Sequence, residues 1–314
     1  MPETPRLVPA LERMLHLKRV PMLSGLTGPD LAVVADAASE RFFPKGAVVF
    51  REGEPAGSVH FVVDGALATY RRETRVGTVG PGAGVGGLAV FARDPLGSQV
   101  VAHEDTLTLE LDADAVSEVL EDHFPILHHI LREMSRRAID LLTRFRLDPG
   151  AGTPECPVGA PELGDIDLVG RIFFLRGMTV FQRSSITALA ELARAMAQVR
   201  FEPGTVVFRE GEEAPGIFLV RSGFLRATGS SGVSFRPGPG FPLGALEALG
   251  ERPRWYDAVA ETPVVALQGH MGVLVDAFED HFDMAMDYLA VIAQSTLRIL
   301  DWTAARGEEP PLPS

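Results

Sequence analysis

The chain has 314 residues, 46% of them hydrophobic and 23% charged, with a formal net charge of −13 at pH 7. This is a globular composition, and its acidic balance disfavours nucleic acid as a partner, because displacing counterions from phosphates needs a basic face. The single cysteine, Cys156, excludes an internal disulfide, and neither a signal pattern nor a membrane-length apolar run occurs, so a cytoplasmic protein with no membrane contact is expected.

The heptapeptide VVFREGE at Val48–Glu54 returns at Val206–Glu212, 158 residues later. Sliding the chain on itself by that offset, without a gap, aligns Phe43 with Phe201, Gly46 with Gly204, Gly65 with Gly223 and Gly86 with Gly244. It also aligns Gly80-Pro81-Gly82 with Gly238-Pro239-Gly240, Pro95 with Pro253, and the EDHF of Glu121–Phe124 with that of Glu279–Phe282. Glycine and proline govern backbone turns, so the two halves share a backbone path. A period this long marks a domain duplication, since solenoid repeats run roughly 20–50 residues.

In chain order, each copy is predicted to run helix, many short strands, helix. The last helix of the first copy carries an apolar stripe at Leu127, Ile130, Leu131, Met134, Ala138, Leu141, Leu142 and Phe145. Its arginines, Arg132, Arg136, Arg137, Arg144 and Arg146, spread around the helix as a solvated face. The stretch 148–165, rich in Pro and Gly and lacking a hydrophobic period, reads as a linker, with Cys156 exposed inside it. In the second copy, SSITALAELARAMAQV has helical spacing, and the residues from Phe201 onward form short β-branched and aromatic runs broken by Gly, Pro and Glu. Tyr288, Leu289, Ile292, Ile299 and Leu300 repeat the final stripe, and 306–314 is expected to be disordered. The domains are accordingly placed at 1–147 and 166–305. The fold class is mainly β with flanking α-helices, as two tandem barrels.

The order F-x-x-G-x-x-V/I-F-x-x-G-E, a strand, D/S-G, a Gly-rich turn, then G-x-L-A and a proline resembles a cyclic nucleotide-binding domain, as in CRP-like regulators and protein kinase A regulatory subunits. The resemblance covers about 15–147 and 168–303, and implies two jelly-roll barrels. No helix-turn-helix, kinase or channel segment is expected to accompany them. The family's phosphate-binding cassette resembles F-G-E-L-A-L followed by P-R-A-A-T/S-V. In it, Arg neutralises the cyclic phosphate, a short helix start donates N–H groups, and Glu accepts from the ribose hydroxyl.

By that resemblance the first cassette keeps Gly86 and Leu88 but has Gly87 in place of Glu and Leu96 in place of Arg. With both anchors gone, the first copy is not expected to bind cyclic nucleotide. The second cassette supplies the candidate ligand residues Gly244, Ala245, Leu246, Arg254, Trp255, Tyr256 and Asp257. Arg254 follows Pro253 as the family pattern requires, yet Ala245 replaces the Glu and Asp257 stands where Thr or Ser belongs. Asp257 would repel a phosphate or pair with Arg254, and Glu247 is expected to point elsewhere. Trp255 and Tyr256 would either stack on a base or join the barrel core.

Two other signals carry less. GAGVGG satisfies G-x-G-x-x-G through Gly82, Gly84 and Gly87, but Pro95 follows too soon for a dinucleotide-binding helix. His123, His128 and His129 have no matched set in the second copy, which keeps only His281, so no metal site is expected. No catalytic grouping is evident. The expected protein is a non-catalytic regulator without a cofactor, a protein-binding or scaffold module, with homodimerisation expected through the C-terminal helix. The alternative is a sensor whose second domain takes a cyclic nucleotide or another phosphorylated ligand through Arg254.

Overall fold

A computed structural model describes residues 8–71, 74–93, 97–149 and 164–305. The expected linker residues 150–163 with Cys156, the tail 306–314 and Leu96 lie outside the described residues. Two compact units result, one of residues 1–130 with 297–314 and one of residues 131–296.

The first copy begins with α1 (Ala10–Lys18) and α2 (Gly28–Ala37), the latter entered through a reciprocal capping box between Thr27 and Asp30. The strands are β1 (Ser39–Phe43), β2 (Val48–Phe50), β3 (Ser58–Asp64), β4 (Leu67–Arg71), β5 (Thr74–Val79) and β6 (Gly84–Val85). After α3 (Gly87–Ala92) come β7 (Gln99–Ala102) and β8 (Thr106–Asp112), then α4 (Ala113–Asp122) and α5 (Phe124–Phe145). The strands form two antiparallel sheets, ordered β1-β8-β3-β6 and β2-β7-β4-β5, which is the expected jelly roll.

The second copy repeats this element for element. It has α6 (Leu168–Gly177), α7 (Ile186–Ala195), β9 (Ala197–Phe201), β10 (Val206–Phe208), β11 (Gly216–Ser222), β12 (Leu225–Thr228), β13 (Ser234–Phe235) and β14 (Pro242–Leu243). Then follow α8 (Ala245–Leu249), β15 (Asp257–Ala260), β16 (Val264–His270), α9 (Met271–Asp280) and α10 (Phe282–Ala305). The sheets are β14-β11-β16-β9 and β10-β15-β12-β13. Even the irregularities recur at the same offset. The register shifts between Val48 and Phe50 and between Val62 and Asp64 reappear between Val206 and Phe208 and between Val220 and Ser222. Gly65 and its counterpart Gly223 both hold positive φ, and a Cβ at either would collide with the carbonyl opposite, of Asp105 or Pro263. These two aligned glycines therefore mark a turn that a larger residue could not complete without moving the backbone.

Each long C-terminal helix buries its expected stripe apart from its last member, Phe145 or Leu300, which is half-buried. In α10 every residue from Met284 to Ala290 is buried. Among the described residues, the exposed large apolar side chains lie elsewhere than on α10.

The two barrels differ in the interior chemistry around β3 and its counterpart β11. In the first, His60 projects inward from β3 between the rings of Phe43 and Phe50, both 5.3 Å away edge-on. Its ring nitrogens meet Ser58 Oγ at 3.0 Å and Thr108 Oγ1 at 3.1 Å. The offset puts Phe218 at this position in the second copy, flanked by Phe201 and Phe208, with Gly216 and Ala266 replacing Ser58 and Thr108. Burial pulls the His60 pKa down to about 4, against the opposing pull of the Glu110 carboxylate 3.7 Å away and with a smaller push from Arg41. A neutral histidine is thus part of the native packing. Its stabilisation is complete above pH 6.5 and is lost as pH falls toward 4, about 2 kcal/mol between pH 7.5 and 5. Calorimetry should show this loss in the transition of the first unit. In Ser58→Gly/His60→Phe/Thr108→Ala, which copies the second barrel, that component should vanish; an unchanged pH slope would refute the assignment.

Candidate functional site

The second cassette is built around Arg254. The repeated heptapeptide supplies its frame. Phe208 lies beneath the guanidinium, whose central carbon is 4.3 Å from the ring centroid. Gly211 N–H donates to the Arg254 carbonyl and the Arg254 N–H donates to the Glu212 carbonyl, each at 2.8 Å. The side chain, only 4% exposed, runs inward and donates from Nη1 to Gly244 O at 2.9 Å and from Nη2 to Gly216 O at 2.7 Å. Gly244 precedes α8 in the left-handed region, and a Cβ there would occupy the place of Nη1. Arginine and glycine thus fit together as one unit.

Glu247 sits beside this unit, where the sequence had placed it elsewhere. The helix is one turn long and buries every residue except Leu246, so Glu247 is carried inward and is 2% exposed. Burial raises its pKa to about 7 despite the attraction of Arg254 and donors on Tyr256 and Trp255 that face it. Its Oε1, Trp255 Nε1 and Arg254 Nε are all buried without a hydrogen bond of normal geometry. Tyr256 accepts from Gly244 N–H at 3.2 Å, and burial raises the phenol of Tyr288 on α10, with the nearby Glu247 charge adding to it.

The remaining candidate residues separate from this centre. Trp255 and Tyr256 join the barrel core, their rings 5.0 Å apart and packed on Phe235 at 6.0 and 4.9 Å. Ala245 is buried and Leu246 half-buried. Asp257 points to the heptapeptide turn and accepts from Glu210 N–H at 2.7 Å, while the guanidinium bonds backbone carbonyls. In the first copy, Gly86, Gly87 and Leu88 are half-buried at the start of the six-residue α3, and a Cβ on Gly86 would crowd Ser58 O and Phe50. GAGVGG is here the end of a strand, a left-handed turn and this short helix. Among the described residues no group of three His, Cys, Asp or Glu could hold a metal, and no helix is long and apolar enough to cross a membrane.

The cyclic nucleotide-binding domain model matches twice, at residues 40–123 and 198–281, together more than half of the chain and separated by the same offset. The chain belongs to the cyclic nucleotide-binding domain family. It is 24% identical over 259 residues to a cAMP-dependent protein kinase regulatory subunit of Yarrowia lipolytica, covering 82% of this chain and 57% of that protein. It is 26% identical over 126 residues to a CRP-like cAMP-activated global transcriptional regulator of Mycobacterium tuberculosis, covering 38% and 56%. The chain thus spans just over half the length of these relatives. Among solved structures it is similar to the regulatory subunit of a cAMP-independent protein kinase A from Trypanosoma brucei, at 20% identity, 96% and 92% coverage and a TM-score of 0.35.

The raised pKa of Glu247 has a definite sign. A carboxyl that prefers its neutral form in the fold stabilises the second unit below pH 4.5, and this is lost as pH rises through 7. The loss amounts to about 2 kcal/mol between pH 5.5 and 8. Glu247→Gln keeps the shape and removes the titration, so it should flatten the pH profile of that unit and raise its melting temperature at pH 8. A lower melting temperature at pH 8 would mean that the charged form is the native one.

Proposed function

We propose that this protein is a non-catalytic regulatory module whose two barrels recognise another protein and take cyclic nucleotide weakly or not at all. The observation that carries this reading is the commitment of Arg254. Its terminal nitrogens bond the carbonyls of Gly244 and Gly216 inside the barrel. To receive a phosphate, the guanidinium would have to leave buried acceptors, and Glu247, once ionised, would stand beside the incoming charge. The ribose acceptor is replaced by Ala245, and in the first copy Gly87 stands in its place. Membership of a family that includes regulatory subunits and transcriptional regulators supports the regulatory role.

A second reading rests on the unsatisfied buried atoms at Arg254 Nε, Glu247 Oε1 and Trp255 Nε1. In that reading the second copy senses a phosphorylated small molecule through Arg254. One titration separates the two. Calorimetry with cAMP and with cGMP should give no binding tighter than about 100 µM, the scale set by losing two anchors of about 1.5–3 kcal/mol each. Micromolar binding to the intact protein would replace the protein-recognition reading with the sensor.

A further inference from the structure

Two of the arginines expected on a solvated face of α5 meet the second cassette instead. Residues 131–296 form one compact unit, so this half of α5 and the cassette belong together. Arg136 donates from Nε to the carbonyl of Gly250, the residue that closes α8, at 2.6 Å. The approach is so close that a Cβ on Gly250 would lie 3.4 Å from Arg136 Cγ and 3.5 Å from its backbone nitrogen. Glu251 follows in the left-handed region, at φ 50°, and presents its carboxylate to Arg136 Nη2 and Arg132 Nη1, each at 3.5 Å. Glu133, one turn back on α5, holds Arg136 from the side at 2.8 Å. Just past the helix, Arg146 lies over Gly232 of the turn between β12 and β13, its Nε 3.4 Å from where a Cβ would stand. That turn abuts the Trp255 carbonyl, which a Cβ on Gly229 would approach to 2.7 Å. The stretch 131–146 therefore touches the second copy at the end of α8 and at the turn beside Trp255.

A helix of one turn does not hold itself, and α8 is held at both ends by arginines that lie outside it. Arg254 takes the Gly244 carbonyl from the barrel side, and Arg136 of α5 takes the Gly250 carbonyl. Glu247 sits between these two points, turned inward. Exposed ion pairs contribute little by themselves, so the charge-assisted bond to Gly250 O and the close backbone approach carry the contact. Its residue types are not part of the duplication. The 158-residue offset puts Ala290, Gln294 and Arg93 where Arg132, Arg136 and Glu251 stand, so this set of opposite charges is written into one copy of the repeat. We propose that residues 131–146 act as a lock on the second cassette: α5 holds the outer end of α8, and displacing it frees α8 and with it the seat of Arg254. The lock uses Gly250 and Glu251, which lie outside the candidate ligand residues, so it does not depend on whether the cassette takes a nucleotide. Through it, the helix that follows the first barrel in the chain sets the state of the second cassette.

Hydrogen exchange of the full chain, followed by mass spectrometry, reads the lock directly, because Ala248, Gly250, Glu251 and Arg252 donate their N–H groups within this segment. Arg136→Ala should speed exchange of residues 245–252 by about tenfold or more, the effect of losing one charge-assisted bond, while β11 and β16 keep their wild-type rates. Arg136→Lys, which can still donate to Gly250 O, should fall between the wild type and Arg136→Ala. Unchanged exchange of 245–252 in Arg136→Ala overturns the proposal. So does acceleration spread evenly over the second unit, which would mean general loosening rather than release of α8. Should Arg136→Ala fail to fold, Glu251→Asn decides in its place, since Asn tolerates the left-handed turn and lacks the carboxylate. Faster exchange confined to 245–252 supports the lock, and wild-type exchange there rejects it.

Discussion

The second barrel depends on a charged side chain filling the space that one glycine leaves open. Gly244 has no Cβ, so the Arg254 guanidinium can lie against its backbone and bond its carbonyl and that of Gly216. A left-handed φ at Gly244 then starts α8, and a helix begun at that angle turns Glu247 inward. The heptapeptide turn grips the Arg254 backbone from the other side and places Phe208 under its cation. Backbone turn, buried cation and buried carboxyl therefore form one connected cluster. In a ligand-binding member of the family an arginine at this position would serve a phosphate; here its donors serve the protein.

The two copies solve the same backbone path with different interiors. The first fills its barrel with His60, Ser58 and Thr108, which satisfy each other without charge. The second uses three phenylalanines there and concentrates its polarity around Arg254. Turn glycines and bulges are shared because altering one would break a strand pairing, whereas interior side chains can change as a group if volume and hydrogen bonding are kept.

Much of this was legible in the sequence. Glycine and proline report backbone directly, so Gly65 with Gly223 and Gly86 with Gly244 disclosed the duplicated fold. What stayed hidden were directions of side chains set by tertiary context. Glu247 reads as a surface residue of a short helix until the helix proves to be buried almost all round. Asp257 sits three residues from Arg254 and invites an ion pair, yet the strand directs it to Glu210 N–H. The stripe on α10 has the period of an interface helix, but its period does not say which surface it meets. The one available signal for Glu247 was its company: Ala245, Ala248 and Leu249 make the rest of that turn apolar.

If Arg254 is a structural residue of the second barrel, it holds that barrel together when no ligand is present. Two bonds from a guanidinium to buried carbonyls, each worth about 1.5–3 kcal/mol, imply a large structural role. Denaturant unfolding of Arg254→Ala, in buffer free of nucleotide and phosphate, should show the second unit destabilised by about 3 kcal/mol or more. If Arg254→Ala unfolds at the same denaturant concentration as the wild type, the arginine has no structural role and is a receptor waiting for an anion.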